Sequence, residues 1–375
     1  MDARKSIFRS LVLIGGLLGA ASAASNDAGA DQLRRGRELL QRAVEAVGGQ
    51  HTLADVRNIR FRAEGETHNP YQGISATTID APGRDGAIAW TNIFDFAGGR
   101  YRQETVQDLH GGLVLKFGTI VAGGRLHGIS FAENIVRSQA APPLNPAGSV
   151  TDLPLRWMPP FLLQRAIENL GSVRALPDAP VGSEAAHRFA FSWDAATRIE
   201  VALSARDGRL LECRAPTADL LQGDDELMVR YATRAARAPP ERVAILRRGI
   251  EVKGLRLLDI QRNVALEDAA LAPPAAFRAY ELPAEPPVVE VSPGIFEVRE
   301  LGGGTYRSQI IVRDADVLVF ESLGPGLAPR VLAAAKKLAG TRPISHVVVS
   351  HFHADHAGGV GVFARNWITV ISPAG

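Results

Sequence analysis

The run Ile-Ser-His-Val-Val-Val at residues 344–349 constrains the fold of this chain more than any other stretch. Its valines are consecutive and do not alternate with polar residues, the pattern of a strand covered on both faces. A helix is predicted just before it, with Leu327, Val331, Leu332, Ala335 and Leu338 on its buried side and Gly340 at its end. Short apolar strands are predicted at 288–291, 295–298, 310–312 and 317–320, and another at 368–371. His346 lies within the valine strand and reads as a core or edge histidine.

Upstream the pattern differs. Residues 31–47 read as an amphipathic helix, with Leu33, Leu40, Val44 and Val47 on one face and Gly48-Gly49 as the stop. The period then becomes two: Ile59, Phe61 and Ala63 alternate with charged residues, and Ile88, Trp90, Phe94 and Phe96 share one parity. Gly98-Gly99, Gly123-Gly124 and Asp207-Gly208 read as hairpin turns. One helix interrupts, from Pro160 to Gly171, and strands resume at 199–203, 227–231 and 250–260. Pro283, Pro286 and Pro287 mark a linker over 284–287. The expected organisation is therefore two-domain α+β. A mostly antiparallel β-rich domain with helices spans 31–283, and a second domain spans 288–375.

The first 23 residues read as an export signal: a basic start, an apolar stretch from Leu11 to Ala20, and Ala21-Ser22-Ala23 as a cleavage pattern. The alternative is an uncleaved anchor. Either way, contact with a membrane is expected only through this segment, and the expected location is exported, in the periplasm. The chain has one cysteine, Cys213, which excludes an internal disulfide and a cysteine framework for metal. Net charge is +2, and the basic residues do not gather into a stripe with aromatics, which argues against nucleic acid as a partner.

The chemistry concentrates behind the valine run, in Ser-His-Phe-His-Ala-Asp-His-Ala-Gly-Gly at 350–359. His351 and His353 are two apart, so in extended backbone their rings project to one side. Asp355 and His356 follow as the chain turns, and suit a neighbouring spot. Imidazole in its neutral form is the commonest metal ligand near neutral pH. Gly358 and Gly359 leave room for backbone to approach closely. The candidate metal ligands are thus His351, His353, Asp355 and His356.

This stretch, behind strand–helix–strand, resembles the metallo-β-lactamase superfamily, whose histidine-rich motif ends a core strand of an αββα sandwich. The resemblance covers about 288–375. It implies a zinc-type hydrolase with one or two Zn2+ ions. His351 and His353 correspond to ligands of the first ion, and Asp355 and His356 to ligands of the second. Asp355 is implied in catalysis as well, orienting the water between the ions. Val-Leu-Val-Phe-Glu-Ser at 317–322 matches the family's strand ending in an acid, with Glu321 where Asp is usual, and Ser350 stands where Thr is commoner. The layout of 31–283 loosely resembles, in element order alone, the half-barrel of periplasmic lipoprotein carriers. That implies a lipid or protein ligand for this domain, with a purely structural domain as the alternative.

The family's remaining ligands lie further along the chain than Asp355 and His356, and residues 357–375 contain no His, Asp, Glu or Cys. The expectation is therefore an incomplete αββα sandwich, a partial or truncated copy of a longer hydrolase with little activity as given, whose exposed inner sheet face marks an interface or an aggregation hazard. The substrate is expected to be a small molecule of unspecified class. The rival expectation is a non-catalytic periplasmic lipid- or partner-binding protein with a vestigial metal half-domain.

Overall fold

A computed structural model of the chain describes residues 29–68, 86–96, 98–109, 112–140, 158–195, 197–219, 223–302 and 306–373. The export-signal expectation at 1–23 lies outside them. Among the described residues, no helix is long and apolar enough to cross a membrane. The fold is mostly β, with few helices, and falls into two compact units interleaved in sequence.

The first unit comprises Met1–Val56, Asn145–Pro216 and Met228–Glu241. It contains helix α1 (29–46), α2 (Gly49–Asp55) and α3 (Pro159–Glu168). An antiparallel meander runs through β7 (Arg174–Leu176), β8 (Ala186–Ser192) and β9 (Arg198–Ser204) into β10 (Leu210–Asp219). α1 buries Leu40 and Val44 of its expected face together with Leu39 and Ala43, while Leu33 and Val47 are half-buried. Gly36 allows the helix to lie close on β7, because a Cβ there would stand 2.8 Å from the backbone of Ala175. Phe189, Phe191, Ile199 and Val201 fill the core of the meander. Cys213 is buried beside Tyr231, 3.1 Å from its hydroxyl.

The second unit comprises Arg57–Leu144, Thr217–Leu227 and Arg242–Gly375 and holds two sheets. The larger contains β1 (Asn58–Thr67), β2 (Gly86–Asp95), β3 (Arg100–Leu109), β4 (Leu113–Ala122), β5 (Arg125–Ser130), β6 (Ile135–Ala140), β12 (Arg242–Arg247), β13 (Ile250–Arg262) and β14 (Arg278–Tyr280). Between β10 and β12 the chain forms β11 (Gly223–Ala232). The order in this unit is β14-β6-β5-β4-β3-β2-β1-β13-β12. All neighbours are antiparallel except β14 and β6. Gly123 and Gly124, both with positive φ, form the β4–β5 hairpin turn, as the dipeptide predicts.

The smaller sheet has the order β15 (Val288–Ser292), β16 (Ile295–Leu301), β17 (Tyr306–Val312), β18 (Val317–Phe320), β19 (Ile344–Val348), β20 (Thr369–Ile371). Its first four strands form an antiparallel meander. β18, β19 and β20 then run parallel, which requires crossovers. α4 (Ala328–Ala339) supplies the first crossover, and α5 (Ala354–Ala357) with α6 (Val360–Ala364) the second. One face of the sheet packs Val298, Ile310, Val319 and Val347 against Val331 and Ala335 of α4 and Phe363 of α6. The residues before β15 are tied to α4: Arg330 donates to the carbonyl of Pro283, and Lys337 pairs with Glu285 at 2.6 Å.

The valine strand departs from its expectation. Val347 and Val349 are fully buried, but Val348 is only half-buried and shares its row with half-buried Phe320 and exposed Ile371. Consecutive β-branched residues follow from strand propensity as well as from burial. The run therefore specifies the strand without specifying cover on both faces. A second sheet packed on this face is not seen among the described residues.

Candidate metal centre

All four motif residues follow the C-terminal end of β19, where parallel strands leave a crevice open to a ligand. Pairing continues one residue past the strand, through the N–H of Val349 donating to the carbonyl of Ile371 at 2.9 Å. The chain then turns, with His353 as the residue before α5, Asp355 in that helix's first turn and His356 in its last. The ring centroids of His351 and His353 lie 4.4 Å apart, and those of His351 and His356 4.1 Å apart. Asp355 Oδ2 is 3.7 Å from His356 Nε2. The structure thus brings the four side chains into one cluster, with all four half-buried.

Glu321 follows β18 and anchors the cluster from the neighbouring strand. Its Oε2 lies 3.0 Å from His356 Nδ1, and its Oε1 accepts from the N–H of Ser350 at 3.1 Å. A carboxylate on Nδ1 favours the tautomer with its proton there, which leaves Nε2 as the ring's electron-pair donor. Glu321 adopts φ +72° and Leu323 φ +60°, both in the left-handed region that costs a side-chain-bearing residue energy. The Ser322 hydroxyl between them donates to the carbonyl of His356 at 2.6 Å, binding this reversal to the motif loop. Gly359 closes the join. A Cβ there would stand 2.6 Å from Ala328 Cβ and 2.7 Å from the carbonyl oxygens of Ser322 and Leu323, so only glycine fits.

Protonation of the cluster is opposed at His351. Partial burial lowers its pKa, and the nearby His356 and His353 lower it further against the opposing pull of Glu321 and Asp355. Its Nδ1 lies 2.7 Å from the Ser350 hydroxyl. One further residue belongs to the cluster, and sequence reading missed it: Tyr306, at the start of β17, donates its hydroxyl to Asp355 Oδ2 at 2.9 Å. Burial, then the bond to Asp355, pushes its pKa up to about 12, so the phenol keeps its proton. No spacing signal links residues 306 and 355, since they meet only through the sheet.

The donor set fits a borderline cation such as zinc. Asp355 Oδ1 is buried and has no hydrogen-bond partner among the described residues, an arrangement costly for an anionic oxygen unless a cation faces it. Imidazole nitrogens and a carboxylate are zinc donors. Among the described residues, however, no group of three or more such donors already converges on one point to hold an ion. The cluster has His351 between His353 and His356, and does not close a coordination sphere by itself.

Other histidines are held locally. His51 pairs with Asp55 at 2.8 Å, His187 with Asp178 at 2.9 Å, and His127 lies 2.7 Å from the Ser138 hydroxyl. His346 is half-buried on β19, its Nδ1 2.8 Å from the Ser345 hydroxyl.

With this geometry in place, one segment can be compared: residues 302–373 match the family model of the metallo-beta-lactamase superfamily. The match spans β17 to β20 and contains every residue of the cluster. No curated protein matches the sequence. Among solved structures, similarity extends to an uncharacterized conserved protein from Thermus thermophilus, at 11% identity over 65% of this chain and 97% of that one, TM-score 0.28. A LolA superfamily protein from Nitrosomonas europaea is similar at 11% identity over 63% and 96%, TM-score 0.38. MucB is similar at 12% identity over 74% and 79%, TM-score 0.23.

Proposed function

We propose that this chain is an exported, zinc-type metal-dependent hydrolase acting on a small molecule, with its metal-binding motif at the end of β19. The sheet β15–β20 would be one half of an αββα sandwich. His351 and His353 would hold one ion, and Asp355 and His356 a second. The observation carrying this reading is the buried, unpartnered Oδ1 of Asp355 amid three clustered imidazoles. When bound, zinc acts as a Lewis acid and brings the pKa of its water down to about 7.

The chain's own residues prepare that chemistry. Glu321 orients His356 and, through the Ser350 N–H, the start of the motif loop. Partial burial lowers the His351 pKa, which favours the neutral ring that can donate an electron pair. Asp355 is the residue suited to orient a water or hydroxide for attack on an electrophilic carbonyl or phosphorus centre. The superfamily this chain resembles spans hydrolases of lactams, thioesters, lactones and phosphodiesters.

The test is hydrolysis of one representative of each class by the zinc-loaded full chain, with and without chelator. One class is expected to be hydrolysed at a low rate, consistent with an incomplete ligand set, and that activity is expected to fall to the chelator-treated background in the His351→Ala, Asp355→Ala double variant, given that metal ligands are removed. Hydrolysis that survives both the double substitution and the chelator would sink the reading.

A further inference from the structure

We infer that Tyr306 is a positioning residue for Asp355: its phenol holds one carboxylate oxygen, Oδ2, so that Oδ1 is the oxygen presented to a divalent cation. This rests on the metal reading above and adds to it a residue outside the histidine motif.

A free carboxylate has two equivalent oxygens and can turn about its last torsion, binding a cation through either one or through both. A fixed donor on one oxygen breaks that equivalence. Tyr306 is such a donor: its hydroxyl reaches Asp355 Oδ2 at 2.9 Å across 49 residues of sequence. The other oxygen, Oδ1, is buried and accepts no hydrogen bond among the described residues.

The ring itself has little freedom. Tyr306 packs against the apolar core beneath α4. Gly302, at φ +59°, makes room for it, because a Cβ at that position would stand 2.7 Å from Tyr306 Cδ2. The ring also meets the His356 imidazole edge-on, with centroids 6.4 Å apart. One aromatic side chain from β17 therefore touches both Asp355 and His356, the pair assigned to the same ion. Partners of this kind outside the ligand set typically carry 10- to 100-fold in metal affinity.

The experiment is zinc titration of the full chain in competition with a chromophoric chelator, on four proteins: wild type, Tyr306→Phe, Asp355→Asn and the double variant. Metal-free thermal unfolding is recorded for each. Tyr306→Phe is expected to weaken zinc binding about tenfold or more. Added to Asp355→Asn it is expected to weaken binding no further, because the phenol acts through that carboxylate. Unchanged affinity in Tyr306→Phe, or a full loss on top of Asp355→Asn, overturns the positioning role and leaves the metal reading standing. A wild-type chain that takes up no zinc overturns the metal reading and this role with it. A lower metal-free melting temperature in Tyr306→Phe does not rescue the role, since the loss must also vanish in the Asp355→Asn background.

Discussion

Asn92 is fully buried in β2, yet neither its Nδ2 nor its Oδ1 has a hydrogen-bond partner among the described residues. Directly across the strand pair stands Gln103, whose Nε2 is likewise without one. The other neighbours on that face, Trp90 and Phe94 along β2 and Phe61 opposite on β1, are apolar. A buried amide left unpaired costs roughly 1–3 kcal/mol, whereas an apolar group of similar shape carries no such penalty. Asn92→Leu is therefore expected to stabilise the chain by about 1 kcal/mol in urea unfolding. A loss of stability would mean that the amide is satisfied in solution. Tyr306 makes the converse point at this scale. Its hydroxyl is paired, and that pairing could not be read from sequence, because a lone tyrosine at a strand start carries no spacing signature.

At the scale of elements, β19 shows what was legible and why. The valine run announces the strand, and the apolar stripe of Val331, Leu332 and Ala335 announces the helix that covers it. The histidine and aspartate spacing announces the cluster, because separations of two and one residues nearly fix where side chains can point. Which face of the strand is covered was not legible, since Val347 and Val348 are the same residue type with opposite surroundings. The start of β19 is held differently from its end. Arg313 donates to both oxygens of Asp316, at 2.7 and 2.6 Å, and the Ser345 hydroxyl adds a bond at 2.6 Å. The Arg313 bond foremost, then that of Ser345, draws the Asp316 pKa down from 3.8 to about 2. The unfolded chain thus takes up this proton first as pH falls. The stabilisation is complete above about pH 4 and drains away on acidification toward pH 2. Asp316→Asn is expected to flatten the melting temperature over that window, while a pH dependence identical to wild type would show the pair contributes nothing.

For the molecule as a whole, the metal reading carries a thermodynamic consequence independent of any substrate. An ion that binds the folded chain and not the unfolded one stabilises it by mass action, by about 2.7 kcal/mol at a hundred times its dissociation constant. Zinc is expected to raise the melting temperature and excess chelator to return it, as followed by scanning calorimetry. Identical melting curves in zinc and in chelator would count against a site on this chain. The mixed sheet β15–β20 also divides the molecule's tolerance for change. The turn before β19, where the Arg342 side chain donates to the carbonyl of Asp314 at 3.2 Å, lies at the opposite end of the strand from the histidines. Lengthening or rewriting that turn should register as a change in how firmly the domain holds together. The same edit at the far end would register as a change in what it can bind. A single five-residue strand separates the two kinds of mutational outcome.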